Sequence, residues 1–385
     1  MRKINLDSRY KIRRTFEYNK EKGPFVKATN QNNKIKKILG NYGIKTDFFG
    51  FKTNLPLGVA AGTLHNLAYL EMAMKDGFEV LTWKTFRSEY RLAHRSDGNY
   101  LGHNIVFLPT EKIKEKEIGQ ERVASLSTSE PADRISITNS VGMPSPAPVD
   151  WMPMLQAGQA LAQKYGKGII TSVVGTARKG DKIEDLARDY AFTARCAESV
   201  GEKIIELNLS CPNVSGKEGV IYKDIKASTI IAKITRETLR ETDTKILLKL
   251  GFATKAHYKK ILQACGKYID GVVAINTIPM NIVDKKGQQA LPGGLSSGTC
   301  GAAIIDLAVK AVERLAEARR ELGKSGRRIK IIGCGGVTDP KSFIRHIEAG
   351  AEFVMCATSA LFNPQLPLDI AKYLRENKIK KSVKF

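Results

Sequence analysis

From Leu57 onward, short apolar runs alternate with stretches whose apolar residues recur at helical spacing. Runs of this length, rich in β-branched residues and closed by Gly or polar residues, read as buried strands. LGVAAG (57–62), EVLTWKT (79–85), GIITSVVG (168–175), the run inside KIIELNLSCPNVSGK (203–217), KILLKLG (245–251), GVVAINT (271–277), RIKIIGCGGV (328–337) and EFVMCATSAL (352–361) predict eight strands. The intervening patterns predict helices over 67–75, 183–200, 227–242, 257–265, 302–322 and 340–349, with another from 366. Eight such alternations predict an α/β fold, a (β/α)8 TIM barrel, whose site lies at the C-terminal ends of the strands.

Three stretches break the rhythm. Residues 1–45 are polar and basic with weak periodicity and predict an arm or cap, and 371–385 form a basic tail. The polar, charge-rich stretch 86–134 is too long for an ordinary connection and predicts a lid or a disordered insertion in a barrel domain spanning 46–370. ISITNSVGMPSPAP (135–148) is expected to hold Asn139 and Ser140 in a structured loop, and GGLSSGTCG (293–301) reads as a Gly-rich loop.

Composition adds limits. An apolar content of 42% supplies a full core for 385 residues. No apolar run approaches the roughly 20 residues of a membrane span, and no apolar segment follows the basic N-terminus as a signal peptide requires. The six cysteines are dispersed without a C-x-x-C pair, which argues against zinc and iron–sulfur sites and fits a reducing, cytoplasmic setting. The formal charge is +23, and residues 1–40 carry twelve Lys and Arg against three acids. RNA or an anionic membrane could attract such an arm, but a general bias toward Lys gives the same charge with no partner, and that reading is preferred.

Chemistry concentrates at the predicted strand ends. The strand at 204–209 delivers Asn208, Ser210, Cys211 and Asn213 in quick succession, as a strand opening into an active-site loop would. Gly335, Gly336, Thr358 and Ser359 follow the last two strands, where barrels commonly hold a phosphate, with Gly301 at the start of the preceding helix. Lys84 and Lys249 near two strand ends point to an anion or an electron-rich ring. A flavin would use both, because a cation at one edge of its ring stabilises the reduced form.

The ordered set AAG, LTWKT, NSVG, ELNLSCPNVSGK, LLKLG, NT followed by MN, IIGCGGV and ATSAL resembles the soluble class of the dihydroorotate dehydrogenase family over most of residues 50–370. The resemblance implies an FMN-binding barrel that oxidises dihydroorotate to orotate in pyrimidine synthesis. It implies that Cys211 is the base that takes the C5 proton while the C6 hydride goes to FMN. Asn139, Asn208, Asn213, Asn276 and Thr277 would hold the pyrimidine, and Lys84 would reach both substrate and flavin. Ala61, Gly62, Thr85 and Lys249 would join the glycines and Thr358 and Ser359 around the cofactor. A homodimer is implied, with a partner subunit possible for electron transfer. Ser145 stands where many relatives carry Asn, and the segments 86–134 and 293–301 are longer than the family's usual connections. The NLSCPN loop also resembles that of FMN-dependent tRNA dihydrouridine synthases. That alternative, another dihydropyrimidine oxidoreductase and a non-redox phosphate-binding barrel stay open at this point.

Overall fold

The computed structural model describes residues 9–94, 103–210 and 220–382. Eight parallel strands close on themselves: β1 (Leu57–Val59), β2 (Val80–Thr82), β3 (Gly168–Val173), β4 (Ile204–Asn208), β5 (Lys245–Leu250), β6 (Gly271–Ala274), β7 (Lys330–Cys334) and β8 (Phe353–Cys356). Each pairs with its neighbours in chain order, and β8 pairs with β1. The predicted (β/α)8 barrel is therefore the fold.

A helix follows each strand: α1 (Leu67–Asp76), α2 (Pro148–Tyr165), α3 (Ile183–Ser199), α4 (Ile225–Thr238), α5 (Lys255–Cys265), α6 (Ile305–Glu321), α7 (Pro340–Glu348) and α8 (Leu366–Glu376). Their starts are written in the sequence. Asn66, Asp224, Thr254 and Asp339 each accept a hydrogen bond from the backbone N–H three residues on, satisfying a donor that the helix leaves unpaired. Helix α2 stands at 148–165, where the sequence pattern predicts no element. Pro148 occupies its first turn, which needs no N–H, and Pro153 sits only one turn inside.

Strand parity divides the apolar residues in two. Val80, Ile170, Ile204, Leu247, Val273, Ile332, Phe353 and Met355 point inward and pack on one another, and Phe48 closes the N-terminal end against Phe353 with ring centroids 4.7 Å apart. The alternate residues, such as Ile205, Leu207, Ile246 and Leu248, face the helices. The same parity carries Glu206, Asn208 and Lys249 into the interior.

The connections after β2 and β6 meet above the barrel mouth. Ile105–Leu108, Ser136–Asn139, Ser296–Gly301, Ile278–Val283 and Glu121–Val123 form one five-stranded sheet in that order. Two segments expected as loops are thus strands: Asn139 ends one, and SSGTCG is another, which pairs with it antiparallel. Gly-rich sequence concealed the second strand, because glycine lowers strand propensity without preventing pairing between two flanking strands.

Residues 9–53 wrap the outside of the barrel through the helices Phe16–Lys22 and Asn32–Leu39 and the strands Gly43–Phe48 and Phe51–Thr53, the first of which pairs with Lys380–Ser382. The Arg9 guanidinium lies 2.7 Å from the Asp76 carboxylate, both fully buried, and Arg9 also donates to the Ala360 carbonyl just beyond β8. Asp76 accepts from the N–H and hydroxyl of Thr29 as well. Replacing Arg9 by Met strands a buried carboxylate, and the expected loss is about 3–5 kcal/mol of unfolding free energy in urea titration. A loss below about 1 kcal/mol would mean that this ion pair does not tie the segment to the barrel.

Candidate active site

The C-terminal strand ends and the cover sheet enclose one cleft with about 1160 Å³ of open space, mouth included. Ala61, Gly62, Lys84, Thr85, Asn208, Lys249, Asn276, Thr277, Gly335, Gly336 and Thr358 line it from the barrel, and Asn139 and Gly301 line it from the sheet. Thirteen residues singled out in the sequence thus converge. Ser359 does not reach the cleft: it is buried and its hydroxyl donates to the Val337 carbonyl. Cys211 and Asn213 lie outside the described residues.

One wall is a network of amides. Asn208 leaves β4 pointing inward, and its Nδ2 donates to Thr85 Oγ1 at 3.2 Å. Its Oδ1 accepts from Asn276 Nδ2 at 3.4 Å and from the Ser210 N–H at 3.3 Å. Asn276 also donates to Ser210 Oγ, which in turn donates to the Lys249 carbonyl. Ser210 is therefore fixed in place directly before Cys211 in the chain.

Cations stand beside these amides, Lys249 being the register partner of Asn208 on the neighbouring strand. Lys249 is buried, with its ammonium 3.8 Å from Glu206 Oε2 and 3.9 Å from Cys334 Sγ. Burial disfavours its charge, but Cys334 and Glu206 outweigh burial and hold its pKa above the usual lysine value. Lys84 lies over the Phe16 ring at 5.2 Å, so the N-terminal wrap reaches the site. Nearby, His65 is packed among the rings of Tyr10, Phe16 and Tyr69. Burial, then the charges of Lys84 and Lys20, drive its pKa well down, leaving a neutral imidazole.

Backbone positions need particular residues at the glycine turn. Gly335 and Gly336 have φ of 112° and 71°, a region that costs side chains dearly, and a Cβ on Gly336 would stand 2.4 Å from the Ile305 Cα at the start of α6. Buried His346 on α7 donates from Nε2 to the Gly335 carbonyl at 2.9 Å. It comes so close to β7 that a Cβ on Gly333 would meet its Nδ1 at 2.6 Å. Thr358 Oγ1 donates to Cys300 Sγ, joining the end of β8 to the cover sheet beside Gly301.

Arg87 organises the loop after Asn139. Fully buried, it donates from Nε to the Met143 carbonyl at 3.1 Å and from Nη1 to the Gly175 carbonyl and Thr176 Oγ1. Its backbone N–H donates to Ser145 Oγ. Ser145, the departure noted in the sequence, therefore serves the loop's own scaffold.

Sequence reading missed Glu206, Ser172, His65, Arg87 and His346. The first two carried a usable signal: polar residues at inward parity inside runs that are otherwise apolar need a polar partner. The others depend on tertiary packing that no local pattern reveals.

The donor set fits a phosphate-bearing flavin. Lys84 and Lys249 supply positive charge, and the glycine turns let backbone approach an anion closely. Thr63, His65 and Thr277 are among the residues around the cleft, and Thr63 Oγ1, Thr277 Oγ1 and both ring nitrogens of His65 are buried without a hydrogen-bond partner among the described residues. Such orphaned groups are costly unless a ligand satisfies them. No group of three or more His, Cys, Asp or Glu side chains among the described residues is arranged to hold a metal ion.

A family model described as dihydroorotate dehydrogenase matches residues 120–377. A dihydroorotate dehydrogenase of Dictyostelium discoideum is 30% identical over 375 residues, covering 93% of this chain and 95% of that protein. The catalytic subunit of dihydroorotate dehydrogenase B (NAD(+)) from Pyrococcus furiosus is 29% identical over 245 residues, 62% of this chain and 73% of its own. The corresponding subunit from Brachyspira hyodysenteriae is 27% identical over 222 residues, 56% and 67% of the two chains.

Burial pushes the His346 pKa down to about 4; the hydrogen bond to Gly335 opposes the shift and Arg345 adds to it. An unfolded histidine titrates near ~6.5, so as pH falls the unfolded chain takes up this proton first. Stability from the neutral imidazole is complete above that value and is lost progressively down to the folded pKa, by about 2 kcal/mol at pH 5. Urea titrations at pH 7 and 5 should show this loss, and His346→Gln should flatten it. An equal pH dependence in both proteins would contradict the assignment.

Proposed function

This chain belongs to the dihydroorotate dehydrogenase family, and on that premise we propose that it oxidises dihydroorotate to orotate in pyrimidine biosynthesis, using FMN bound in the cleft at the barrel mouth. The observation that carries the reading is the convergence of two lysines and three asparagines on a single concave surface at the strand ends. Bound there, FMN would supply the acceptor for the hydride leaving C6 of the substrate.

The residues of the chain do the rest. A planar ring with carbonyls, N–H groups and a carboxylate demands donors and acceptors together, which amide side chains provide. Asn139, Asn208 and Asn276 meet that demand with Thr277, and Asn213 joins them by its place in the motif. The links among Asn208, Asn276 and Ser210 hold these groups before substrate arrives, so less ordering cost falls on binding. Lys84 serves both the substrate and the cofactor's ring. Lys249 would provide fixed positive charge to that ring, with Ala61, Gly62 and Thr85 among the residues that would hold it. Gly301, Gly335, Gly336 and Thr358 would receive the phosphate, with Ser359, whose hydroxyl donates to the Val337 carbonyl, bracing the turn.

Cys211 is the base for the C5 proton. Its support is its position directly after Ser210, whose hydroxyl and N–H are tied to Lys249 and Asn208. A thiol titrates near ~8.5, so proton removal should quicken with rising pH unless its surroundings lower that value.

The arm at 1–45 and the insertion at 86–134 belong to this proposal as additions to one barrel domain, which α8 carries through Glu376 so that the tail expected from 371 begins only after that helix, with a homodimer in the cytoplasm as the assembly and a separate subunit or a small molecule as electron acceptor. Among the described residues no helix is long and apolar enough to cross a membrane. Nucleic acid has no part in the reading.

The purified protein should be yellow or take up FMN. Cys211→Ala should keep FMN and lose at least about 10²-fold in turnover, the usual worth of a positioned base. Cys211→Ser should retain a trace of activity that rises with pH. Full turnover in the alanine variant would remove Cys211 from the role, and a protein that stays colourless in excess FMN would contradict the proposed function.

A further inference from the structure

Two opposite charges are buried together beneath the cleft. Glu206 points inward from the middle of β4 with no solvent exposure, and Lys249 points inward from β5 with 3%. The strands pair with Leu247 opposite Glu206 and Lys249 opposite Asn208, so the carboxylate lies one inward step deeper than the amide. Glu206 does not line the cleft, whereas Lys249 does.

Each oxygen of Glu206 has a distinct neighbour. Oε1 accepts from Ser172 Oγ at 2.8 Å; Ser172 Oγ is 3.1 Å from Thr85 Oγ1, which accepts from Asn208. The carboxylate is thereby anchored, through two hydroxyls, to a residue proposed to hold the substrate. Oε2 makes no hydrogen bond among the described residues and stands 3.8 Å from the Lys249 ammonium. That separation is a Coulombic contact longer than a good hydrogen bond. Burial drives the pKa of the Cys334 thiol upward, and Glu206 is the carboxylate that stands 3.8 Å from the ammonium.

A compensated pair buried this way is nearly neutral from outside, whereas an ammonium left alone would act at full strength in the same low dielectric. Accepting the FMN reading above, we infer that Glu206 is a positioning residue for the cofactor: it fixes Lys249 at the cleft floor and offsets its charge, setting how strongly the cation favours the reduced ring. The carboxylate thus holds the reduction potential below the value that Lys249 alone would produce.

The test uses the full chain loaded with FMN, as wild type, Glu206→Gln, Glu206→Asp and Lys249→Met, each equilibrated with a redox dye of known potential. Removing the carboxylate's charge should move the potential positive, raising the reduced-to-oxidised ratio about tenfold, or ~30 mV for a two-electron couple. Glu206→Asp keeps the charge but draws it back and should shift the same way by less. Lys249→Met should shift negative. Because Glu206→Asp keeps the pair's charges, it decides the matter if Glu206→Gln does not fold. With FMN bound, an unchanged or more negative potential in the available Glu206 variants overturns the inference and leaves the proposed function standing. Failure of the wild type to bind FMN instead overturns that function.

Discussion

Parallel strands closed into a barrel send every second side chain into a dry interior, and a charge sent there must find its counterpart at once. That constraint governs the site. β4 contributes Glu206 and Asn208 at inward parity, β5 contributes Lys249, and their register sets the cation opposite the amide and within reach of the carboxylate. A slip of one residue would turn all three toward the helices and bring Leu207 and Leu248 inside. The apolar residues facing the helices therefore hold the polar ones in the barrel, because burying Ile205, Leu207 and Leu248 outside fixes where Glu206, Asn208 and Lys249 must point.

The site is completed by parts that a bare barrel lacks. Connections after β2 and β6 build the cover sheet, which brings Asn139 and Gly301 over the strand ends. Arg87 holds the loop after Asn139 by donating to carbonyls from two segments. The N-terminal wrap reaches the site through Phe16 beneath Lys84 and is tied to the segment after β8 through Arg9 on the Ala360 carbonyl. Its basic residues are therefore partly structural, with Arg9 spending its charge on Asp76 inside the protein.

The barrel was legible because its strands and most of its helices satisfy local rules: continuous apolar runs for strands buried on both faces, caps and helical periodicity for the rest. The strand-end residues followed, since barrel geometry converts a position in sequence into a position at the mouth. Helix α2 was missed because its prolines resemble a loop, and the strand at 296–301 because its glycines do. Glu206 escaped notice because one acid in an apolar run looks incidental until its parity is counted. His346 depends on the space left by Gly333, a relation between β7 and α7 that no local window contains.

The central claim is that this cleft passes a hydride from dihydroorotate to bound FMN. Anaerobic mixing of the FMN-loaded protein with dihydroorotate tests it most directly, read as loss of the flavin absorption band with formation of orotate. Rapid bleaching is expected in the wild type, with one orotate formed per flavin reduced. A flavin that stays oxidised in excess dihydroorotate, while a chemical reductant bleaches it normally, would contradict it.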